Sequence, residues 1–190
     1  MVYTESNKSK FPEDLAELSD VLAKYLGYSD FTAEAAIVNY YHMNSTLSAH
    51  TDHSEVNLKA PLFSFSFGQS AIFLIGGRDK SVEPSALLIN SGDIVVMSKE
   101  ARLCYHAVPK ILPATDSPWD VLDAPKTGII IPDNKNINFK YVSQSEDIML
   151  SMTENIDNKW HRFRDYIKES RINMNVRQVL NENQTSILTQ

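Results

Sequence analysis

The 190-residue sequence contains a single cysteine, Cys104, and no long apolar run. One cysteine excludes an intramolecular disulfide and a zinc site built from several thiolates. No segment approaches the roughly 18 to 20 apolar residues of a membrane-spanning helix. Residues 1–10 (MVYTESNKSK) also lack the apolar stretch of a signal peptide. These absences favour a reducing compartment, and we therefore expect an intracellular protein with no membrane partner.

An excess of basic residues is also absent. The chain carries 18 lysines and arginines against 24 acidic residues, which gives a net charge of −6. Nucleic-acid-binding proteins usually present a basic face, so this balance argues against that class without excluding it. The apolar share of 43% and the charged share of 22% are typical of a globular protein, and the length fits a single domain over residues 1–190.

The spacing of apolar residues indicates one helix followed by several short strands. Residues 12–26 (PEDLAELSDVLAKYL) have apolar residues at helical spacing, and Gly27 follows as a stop signal. Turn signals then separate short β-rich runs, which cover residues 35–41, 61–67, 71–77, 85–89 and 93–98. Short strands joined by tight turns predict an antiparallel sandwich or barrel, so the expected fold is mostly β with flanking helices.

The second half of the chain is less regular until its last predicted strand. Residues 112–155 have several prolines and little periodicity, and we interpret them as a surface insertion between core elements. Residues 159–170 (KWHRFRDYIKES) have a helical pattern. Residues 171–180 (RINMNVRQVL) then alternate strictly between apolar and polar, which is typical of a strand.

The sequence His50-Thr51-Asp52 offers two ligands for a metal ion. If residues 49–53 are extended, the side chains of His50 and Asp52 point to the same face. A third ligand would come from a distant strand, and the best candidate is His106, in the β-like run RLCYHAVP. Two imidazoles and one carboxylate suit iron(II) and leave coordination positions open for substrate and oxygen.

The spacing alone leaves two interpretations open. His-x-Asp with one remote histidine is a pattern that chance supplies readily, and polar loop residues or a buried, hydrogen-bonded histidine would also explain it. The other three of the five histidines are His42, His53 and His161. They lack a partner at useful spacing or point to the opposite face, so we assign them no metal-binding role.

A second polar cluster lies on the last predicted strand. Arg171, Asn173 and Arg177 share one face of it. Two convergent buried cations require an anion, and bidentate arginine–carboxylate pairs would bind a small dicarboxylic acid, with Asn39 and Tyr41 adding hydrogen bonds from an earlier strand. An exposed edge strand with solvated arginines is the alternative. The conjunction of an iron-type triad with a dicarboxylate clamp favours a 2-oxoglutarate-dependent oxygenase.

Four segments of the sequence resemble the AlkB dioxygenases, over about residues 11–180. These segments are AEAAIVNYYHMNSTLSAHTDHSE, PLFSFSFGQSAIFLIGG, SGDIVVMSKEARLCYHAVP and RINMNVRQVL. Within that family the chain looks most similar to the AlkB homologue one branch, which is found in nuclei and mitochondria. The resemblance implies a double-stranded β-helix (a jelly roll) and a location in the nucleus or mitochondrion, with the cytoplasm as an alternative.

The resemblance also implies roles for the residues that match the family's motifs. The implied iron ligands are His50, Asp52 and His106. The implied contacts of 2-oxoglutarate are Asn39, Tyr41, Ser64, Arg171, Asn173 and Arg177. In the family the first arginine pairs with the distal carboxylate, and the last lies near the oxo-acid end. Glu55 lies where the family reaches toward the substrate base.

The implied reaction uses Fe(II), 2-oxoglutarate and O2 to demethylate N-methylated bases in nucleic acid. Methyladenine in tRNA is the favoured substrate. The alternatives are a methylated DNA adenine demethylase, an oxygenase that acts on a protein such as a histone, and a module that binds iron and cosubstrate without turnover. We expect a monomer.

Two features depart from the family's pattern. Asn175 stands where the family usually has threonine, and we expect the pocket to keep its shape with altered hydrogen bonding. Few residues precede Asn39, so the family's N-terminal nucleotide-recognition lid is expected to be short or missing. The chain is then either a catalytic-core fragment or a protein that handles its substrate differently.

Overall fold

The computed structural model describes residues 9–117, 119 and 163–187. The chain divides into two compact units, one formed by Met1–Thr115 with Glu169–Gln190 and the other by Asp116–Lys168. The predicted insertion at residues 112–155 lies almost entirely outside the described residues. Of the helix predicted at 159–170, residues 163–167 are helical, and residues 159–162 lie outside the described part.

Helix α1 spans Glu13–Tyr25, within one residue of the prediction at each end. Pro12 precedes it, two acidic residues lie in its first turn, and Lys24 lies in its last turn, which matches the polarity of the helix dipole. Gly27 follows with a φ of +87°, a conformation that side chains disfavour and that ends the helix. Among the described residues, no helix has the length and apolar character needed to cross a membrane.

Eight strands are present in the described part of the chain. They are β1 (Ala35–His42), β2 (Leu47–His50), β3 (Leu62–Gly68), β4 (Ser70–Ile75), β5 (Ser85–Ile89), β6 (Ile94–Met97), β7 (His106–Leu112) and β8 (Ser170–Arg177). They form two four-stranded sheets with the orders β1-β8-β3-β6 and β2-β7-β4-β5. Every pairing is antiparallel, so the predicted mostly β architecture is confirmed.

Most strand boundaries follow the sequence pattern, and the exceptions have local reasons. β4 ends at Ile75 rather than at residue 77, and the chain then passes so close to Val82 that a Cβ atom at Gly77 would lie 2.5 Å from that side chain. The sequence pattern predicts no strand at β2, which is only four residues long and mixes polar with apolar residues. These residues are extended because they pair with β7.

The core has two layers, which lie on opposite faces of the first sheet. One cluster packs between the two sheets and includes Leu62 and Met97 from one sheet and Phe73 and Ile111 from the other. The second cluster covers the outer face, where α1 packs its apolar residues against β3 and β8. Burial on both faces explains why β3 (LFSFSFG) is nearly continuous in buried residues. Its small serines face inward and leave space between the sheets for a cavity.

Candidate active site

The three predicted metal ligands meet at the end of a strand pair. His50 is the last residue of β2, His106 is the first residue of β7, and the two are direct partners in the antiparallel register. Asp52 follows beyond the end of β2, so residues 51–53 are not the strand that the spacing argument assumed. One ligand atom from each of the three residues lies within 4.8 Å of the others. The structure therefore brings together the predicted triad.

Hydrogen bonds fix the orientation of both imidazoles. The Nδ1 atom of His50 lies 2.8 Å from the carbonyl oxygen of Ser48, and Nδ1 of His106 lies 3.1 Å from that of Cys104. Because a carbonyl oxygen only accepts, each Nδ1 donates this hydrogen bond, and each ring is held with its Nε2 atom directed away from the carbonyl. Such second contacts orient histidine ligands in metal sites.

Both Nε2 atoms face the same carboxylate. Oδ1 of Asp52 lies 3.9 Å from Nε2 of His50, and Oδ2 lies 3.5 Å from Nε2 of His106. Two Nε2 atoms and one carboxylate around a common point can together bind a single cation. The donor set of two nitrogens and one oxygen is the kind that binds Fe(II) and leaves positions open. These residues therefore fit the iron ion that the sequence predicts.

The environment keeps Asp52 ionised. Burial would raise the pKa of its carboxyl, but the hydrogen bond from His106 and the positive charge of Arg177 outweigh burial and lower the pKa to about 2. Nη2 of Arg177 lies 3.0 Å from Oδ1 of Asp52. A carboxylate, rather than a carboxylic acid, is thus available to a metal ion over the whole physiological pH range.

A cavity of about 150 Å³ begins at the triad and extends between the sheets. All six residues predicted to contact 2-oxoglutarate line it, namely Asn39, Tyr41, Ser64, Arg171, Asn173 and Arg177. They come from three neighbouring strands, β1, β8 and β3. The register places Asn39 opposite Asn173 and Tyr41 opposite Arg171. Strand pairing thus gathers residues that are more than 100 positions apart in sequence.

The middle of the cavity wall is held by an amide network. Nδ2 of Asn173 donates to Oγ of Ser64 (2.7 Å) and to the carbonyl oxygen of Phe65 (3.1 Å). Its Oδ1 accepts a long hydrogen bond from Nδ2 of Asn39 (3.4 Å). Asn173 therefore has a defined orientation, which helps to keep β1, β8 and β3 in one arrangement around the cavity.

Arg171 lies at one end of this wall with unsatisfied donors. It is buried, and only its Nη2 has a described partner, Oγ of Ser66 at 2.8 Å. Nε and Nη1 are buried without a hydrogen-bond partner among the described residues. Burial lowers the pKa of its guanidinium, although not enough to neutralise an arginine. The charge of Asp93 offsets only part of the cost of burying this cation, and a carboxylate of a bound ligand would satisfy the remaining donors.

Tyr41 faces the same end of the cavity. Burial raises the pKa of its phenol, while the charge of Arg171 lowers it to a smaller extent. The phenol is therefore neutral and can donate a hydrogen bond to an anion that Arg171 binds. Ser66, which supports Arg171, was missed by the sequence analysis. Its position two residues from Ser64 in SFSFG, on the same strand face, is the signal that would have found it.

Arg177, at the other end of β8, is engaged by protein carboxylates. Its Nη1 lies 2.5 Å from Oε1 of Glu55, and its Nη2 contacts Asp52 as described above. Arg177 lines the cavity where the oxo-acid end of the cosubstrate was predicted, next to the triad. Its guanidinium thus belongs both to the cavity wall and to the support of a predicted metal ligand.

Glu55 does not lie where the sequence analysis expected it. Its side chain has an exposed fraction of 0% and does not line the cavity. One carboxylate oxygen contacts Arg177, and the other lies 2.9 Å from Nη2 of Arg102. A carboxylate held between two buried guanidinium groups is not available to a substrate base, so the predicted contact disagrees with the structure. Arg102 was missed altogether, because nothing in its local sequence marks it.

The remaining predictions have simpler outcomes. Asn175 lines the cavity, so the residue that departs from the family's pattern is part of the predicted pocket. His42 is exposed at the end of β1, and the Nδ1 atom of His53 contacts its own loop at Thr51. Neither belongs to the cluster of potential metal ligands, and His161 lies outside the described residues.

Comparison with known proteins agrees with this geometry. The profile of the 2OG-Fe(II) oxygenase superfamily matches residues 1–177. The protein named "Nucleic acid dioxygenase ALKBH1" from Homo sapiens is 41% identical over 180 residues, which cover 94% of this chain and 42% of that protein. The protein named "tRNA demethylase abh1" from Schizosaccharomyces pombe is 46% identical over 113 residues, which cover 58% of this chain and 37% of that protein.

The chain thus spans less than half the length of these two relatives. A solved structure, "The structure of OsALKBH1", superposes with a TM-score of 0.51 at 21% sequence identity and covers 87% of this chain and 62% of that one. At this identity the likeness concerns the fold, and it confirms the jelly roll expected from the sequence.

Proposed function

The chain belongs to the 2OG-Fe(II) oxygenase superfamily and, within it, to the AlkB homologue one branch, and from this membership we propose its activity. The proposed protein is an Fe(II)- and 2-oxoglutarate-dependent dioxygenase that oxidatively demethylates N-methylated bases in nucleic acid. Methyladenine in tRNA is the proposed substrate. The name of the fission yeast relative, a tRNA demethylase, supports this choice.

One observation carries the proposal. The two imidazoles and the Asp52 carboxylate converge in the wall of a cavity that is also lined by the buried guanidinium of Arg171, which has unsatisfied donors. The first group suits an iron ion, and the second suits the distal carboxylate of a dicarboxylic acid. A polar loop would account for neither the shared focus of the histidines nor the buried, unpaired donors of Arg171.

The protein's share of the reaction is to bind and to orient. His50, Asp52 and His106 would hold the iron, and Arg171 with Tyr41 would bind the distal carboxylate of 2-oxoglutarate. When bound, iron, O2 and 2-oxoglutarate oxidise a methyl carbon next to nitrogen, and succinate, carbon dioxide and formaldehyde are the products. Fixing the cosubstrate at both ends of the cavity limits its orientations, which is the contribution that positioning makes to catalysis.

The apolar part of the cavity wall limits the access of water. Leu62, Phe73, Met97 and Val108 line it, and Phe73 stacks on His106 with ring centroids 5.7 Å apart. A dry wall strengthens the charge interactions of the site and protects reactive species from side reactions. A base in a duplex is stacked and paired, so the target base has to be unpaired or flipped out to reach this site.

The test has two stages. Anaerobic addition of Fe(II) and 2-oxoglutarate to the chain should produce a metal-to-cosubstrate charge-transfer band in the visible spectrum, and its absence would refute the site. The loaded protein is then assayed in air on methylated tRNA, methylated DNA and methylated histone peptide. We expect formation of succinate and loss of methyl groups with tRNA. Turnover only with DNA or only with peptide would overturn the substrate assignment, and no turnover with a normal band would indicate a binding module.

Two further expectations remain proposals. We propose that the protein is a monomer and that it acts in the nucleus or the mitochondrion, in line with the branch that its sequence resembles. Light scattering of the purified chain and fractionation of cells that express the tagged protein would check them. A stable dimer, or protein found only in the cytosol, would contradict the respective proposal.

A further inference from the structure

Arg102 is among the largest fully buried side chains of the protein and lies outside the cavity. It is part of a short 3-10 helix, Lys99–Leu103, which immediately precedes β7. Its guanidinium donates from Nε to the carbonyl oxygen of Ala60 (3.1 Å), from Nη1 to that of Asp52 (2.6 Å) and from Nη2 to Glu55. One side chain thus ties three points of the connection between β2 and β3.

Glu55 extends these contacts into a closed ring. Its Oε2 accepts from Arg102, and its Oε1 accepts from Arg177. Arg177 in turn contacts the carboxylate of Asp52, whose own carbonyl oxygen accepts from Arg102. Asp52 is therefore held twice, through its backbone and through its side chain. Two guanidinium groups and two carboxylates balance in charge, as buried ions require.

The ring matters because the backbone of Asp52 lies outside regular secondary structure. β2 ends at His50, and residues 51–54 have no regular secondary structure. The two histidines are fixed by strand pairing and by their Nδ1 hydrogen bonds, whereas Asp52 lies on a loop. A metal ligand on an irregular loop needs support from neighbouring groups if the site is to be formed before the ion arrives.

We propose that Glu55 and Arg102 are positioning residues that preorganise Asp52 for metal binding. Neither lines the cavity, and both act through Asp52 and Arg177. The inference rests on the metal site of the proposed function and not on any nucleic-acid substrate. Supporting groups of this kind change metal affinity by about 10-fold to 100-fold when they are removed.

The experiment measures Mn(II) binding to the metal-free chain by calorimetry, without cosubstrate or nucleic acid. The variants are Glu55→Gln, which removes the central negative charge at constant size, and Arg102→Met, which removes all three donors. We expect each to weaken Mn(II) binding by about 10-fold or more. Because either change opens the same ring, the double variant should lose no more affinity than the weaker-binding single variant. Arg102→Lys, which keeps the charge and some donors, should restore part of the affinity.

A matched control separates positioning from general stability. Glu34→Gln makes the same acid-to-amide change at a partly buried carboxylate that accepts hydrogen bonds from the backbone N–H groups of Val179 (2.7 Å) and Leu180 (2.8 Å). Glu34 does not line the cavity, so this variant should lose stability and keep wild-type Mn(II) affinity. Thermal unfolding of every variant is recorded in parallel.

The outcomes are distinguishable. Wild-type Mn(II) affinity in Glu55→Gln, or an equal loss in Glu34→Gln, would overturn the positioning role. If Glu55→Gln unfolds at the assay temperature, Arg102→Met replaces it in the same comparison, and wild-type affinity there would overturn the proposal as well. If the wild-type chain itself binds no Mn(II), the metal site of the proposed function fails, which differs from failure of the positioning role.

Discussion

The two arginines of β8 occupy the same face of one strand and have opposite surroundings. Arg171 lies at the far end of the cavity with two donor atoms that no described group satisfies. Arg177 lies beside the triad, with both terminal nitrogens on the carboxylates of Asp52 and Glu55. Identical side chains on one strand thus have different tasks. Arg171, with no protein carboxylate on its terminal nitrogens, is prepared for a ligand, and Arg177, although its Nε has no hydrogen-bond partner among the described residues, supports the protein's own site.

This difference predicts how each end responds to mutation. Changes at the Arg177 end should affect the folded state and the metal ion, because protein groups depend on that arginine. Changes at the Arg171 end should affect the cosubstrate and leave the folded state nearly intact, because removal of an unpaired buried cation deprives few protein groups of a partner.

The largest expected effect is the loss of the metal carboxylate. Asp52→Ala removes one of three ligands and leaves Arg177 without its cavity-side partner, so we expect turnover to fall to background and the Fe(II) charge-transfer band to disappear. Succinate formation and the visible spectrum check this. Asp79→Ala removes an exposed acid from a surface turn and serves as the control, which should retain full activity. Normal turnover in Asp52→Ala would refute its role as a ligand.

The second prediction concerns the stability of the Arg177 end. Arg177→Met leaves the buried carboxylates of Asp52 and Glu55 without that cation, and breaking a buried ion pair costs about 3–5 kcal/mol. The free energy of unfolding from urea titration of the metal-free chain should fall by this amount. If Arg177→Met lost less unfolding free energy than Arg171→Met, the proposed difference between the Arg177 and Arg171 ends of β8 would be wrong.

Third, Arg171→Met should separate cosubstrate binding from folding. Without 2-oxoglutarate, we expect unchanged or slightly higher stability, since an unpaired buried charge is removed. Loss of charge-assisted hydrogen bonds to the distal carboxylate should weaken 2-oxoglutarate binding by about 1.5–3 kcal/mol. Calorimetry with Mn(II)-loaded protein measures this, and Mn(II) affinity itself should not change. A strong fall in stability would contradict the comparison.

The smallest effect is expected from a mutation at Asn175, which lies between the two arginines on β8. Asn175 lies on the same face of β8, opposite Ser64 in the register, and lines the cavity. Asn175→Thr introduces the residue that the AlkB family usually has, and one exchanged hydrogen bond changes 2-oxoglutarate binding by about 1 kcal/mol at most. The KM for 2-oxoglutarate measures it. A loss as large as that of Arg171→Met would mean that Asn175 holds the cosubstrate directly.

Much of the fold follows from local patterns in the sequence. The alternation of residues 171–180 and the turn signals around the earlier strands gave β1, β3, β5, β6 and β8 nearly within their bounds. β2 was missed because four residues of mixed polarity carry no periodic signal, and its extended conformation depends on β7. Patterns report which face of an element is buried, whereas they do not report which distant element covers it.

In the candidate site, too, local patterns predicted some features, whereas contacts between distant residues could not be predicted. Spacing paired His50 with Asp52, the position of His106 in a β-like run made it the candidate third ligand, and strand alternation placed Arg171, Asn173 and Arg177 on one face, while the resemblance assigned their roles. The contact of Glu55 with Arg102 joins residues 47 positions apart, and its contact with Arg177 joins residues 122 positions apart. No local feature distinguishes these charges from solvated ones. Hence Glu55 was given a substrate role, although the fold places it between two guanidinium groups.

The pairing of His50 with His106 has a consequence for the architecture of the second sheet. Among the described strands β2 lies at one edge of that sheet, it has only four residues, and its register with β7 shifts between Leu47 and His50. A slip by one residue would turn His50 to the opposite face, and short edge strands are prone to such slips and to pairing with other chains. An ion bound by both histidines would fix the register of β2 on β7. Metal supply and resistance to aggregation would therefore be coupled in this protein.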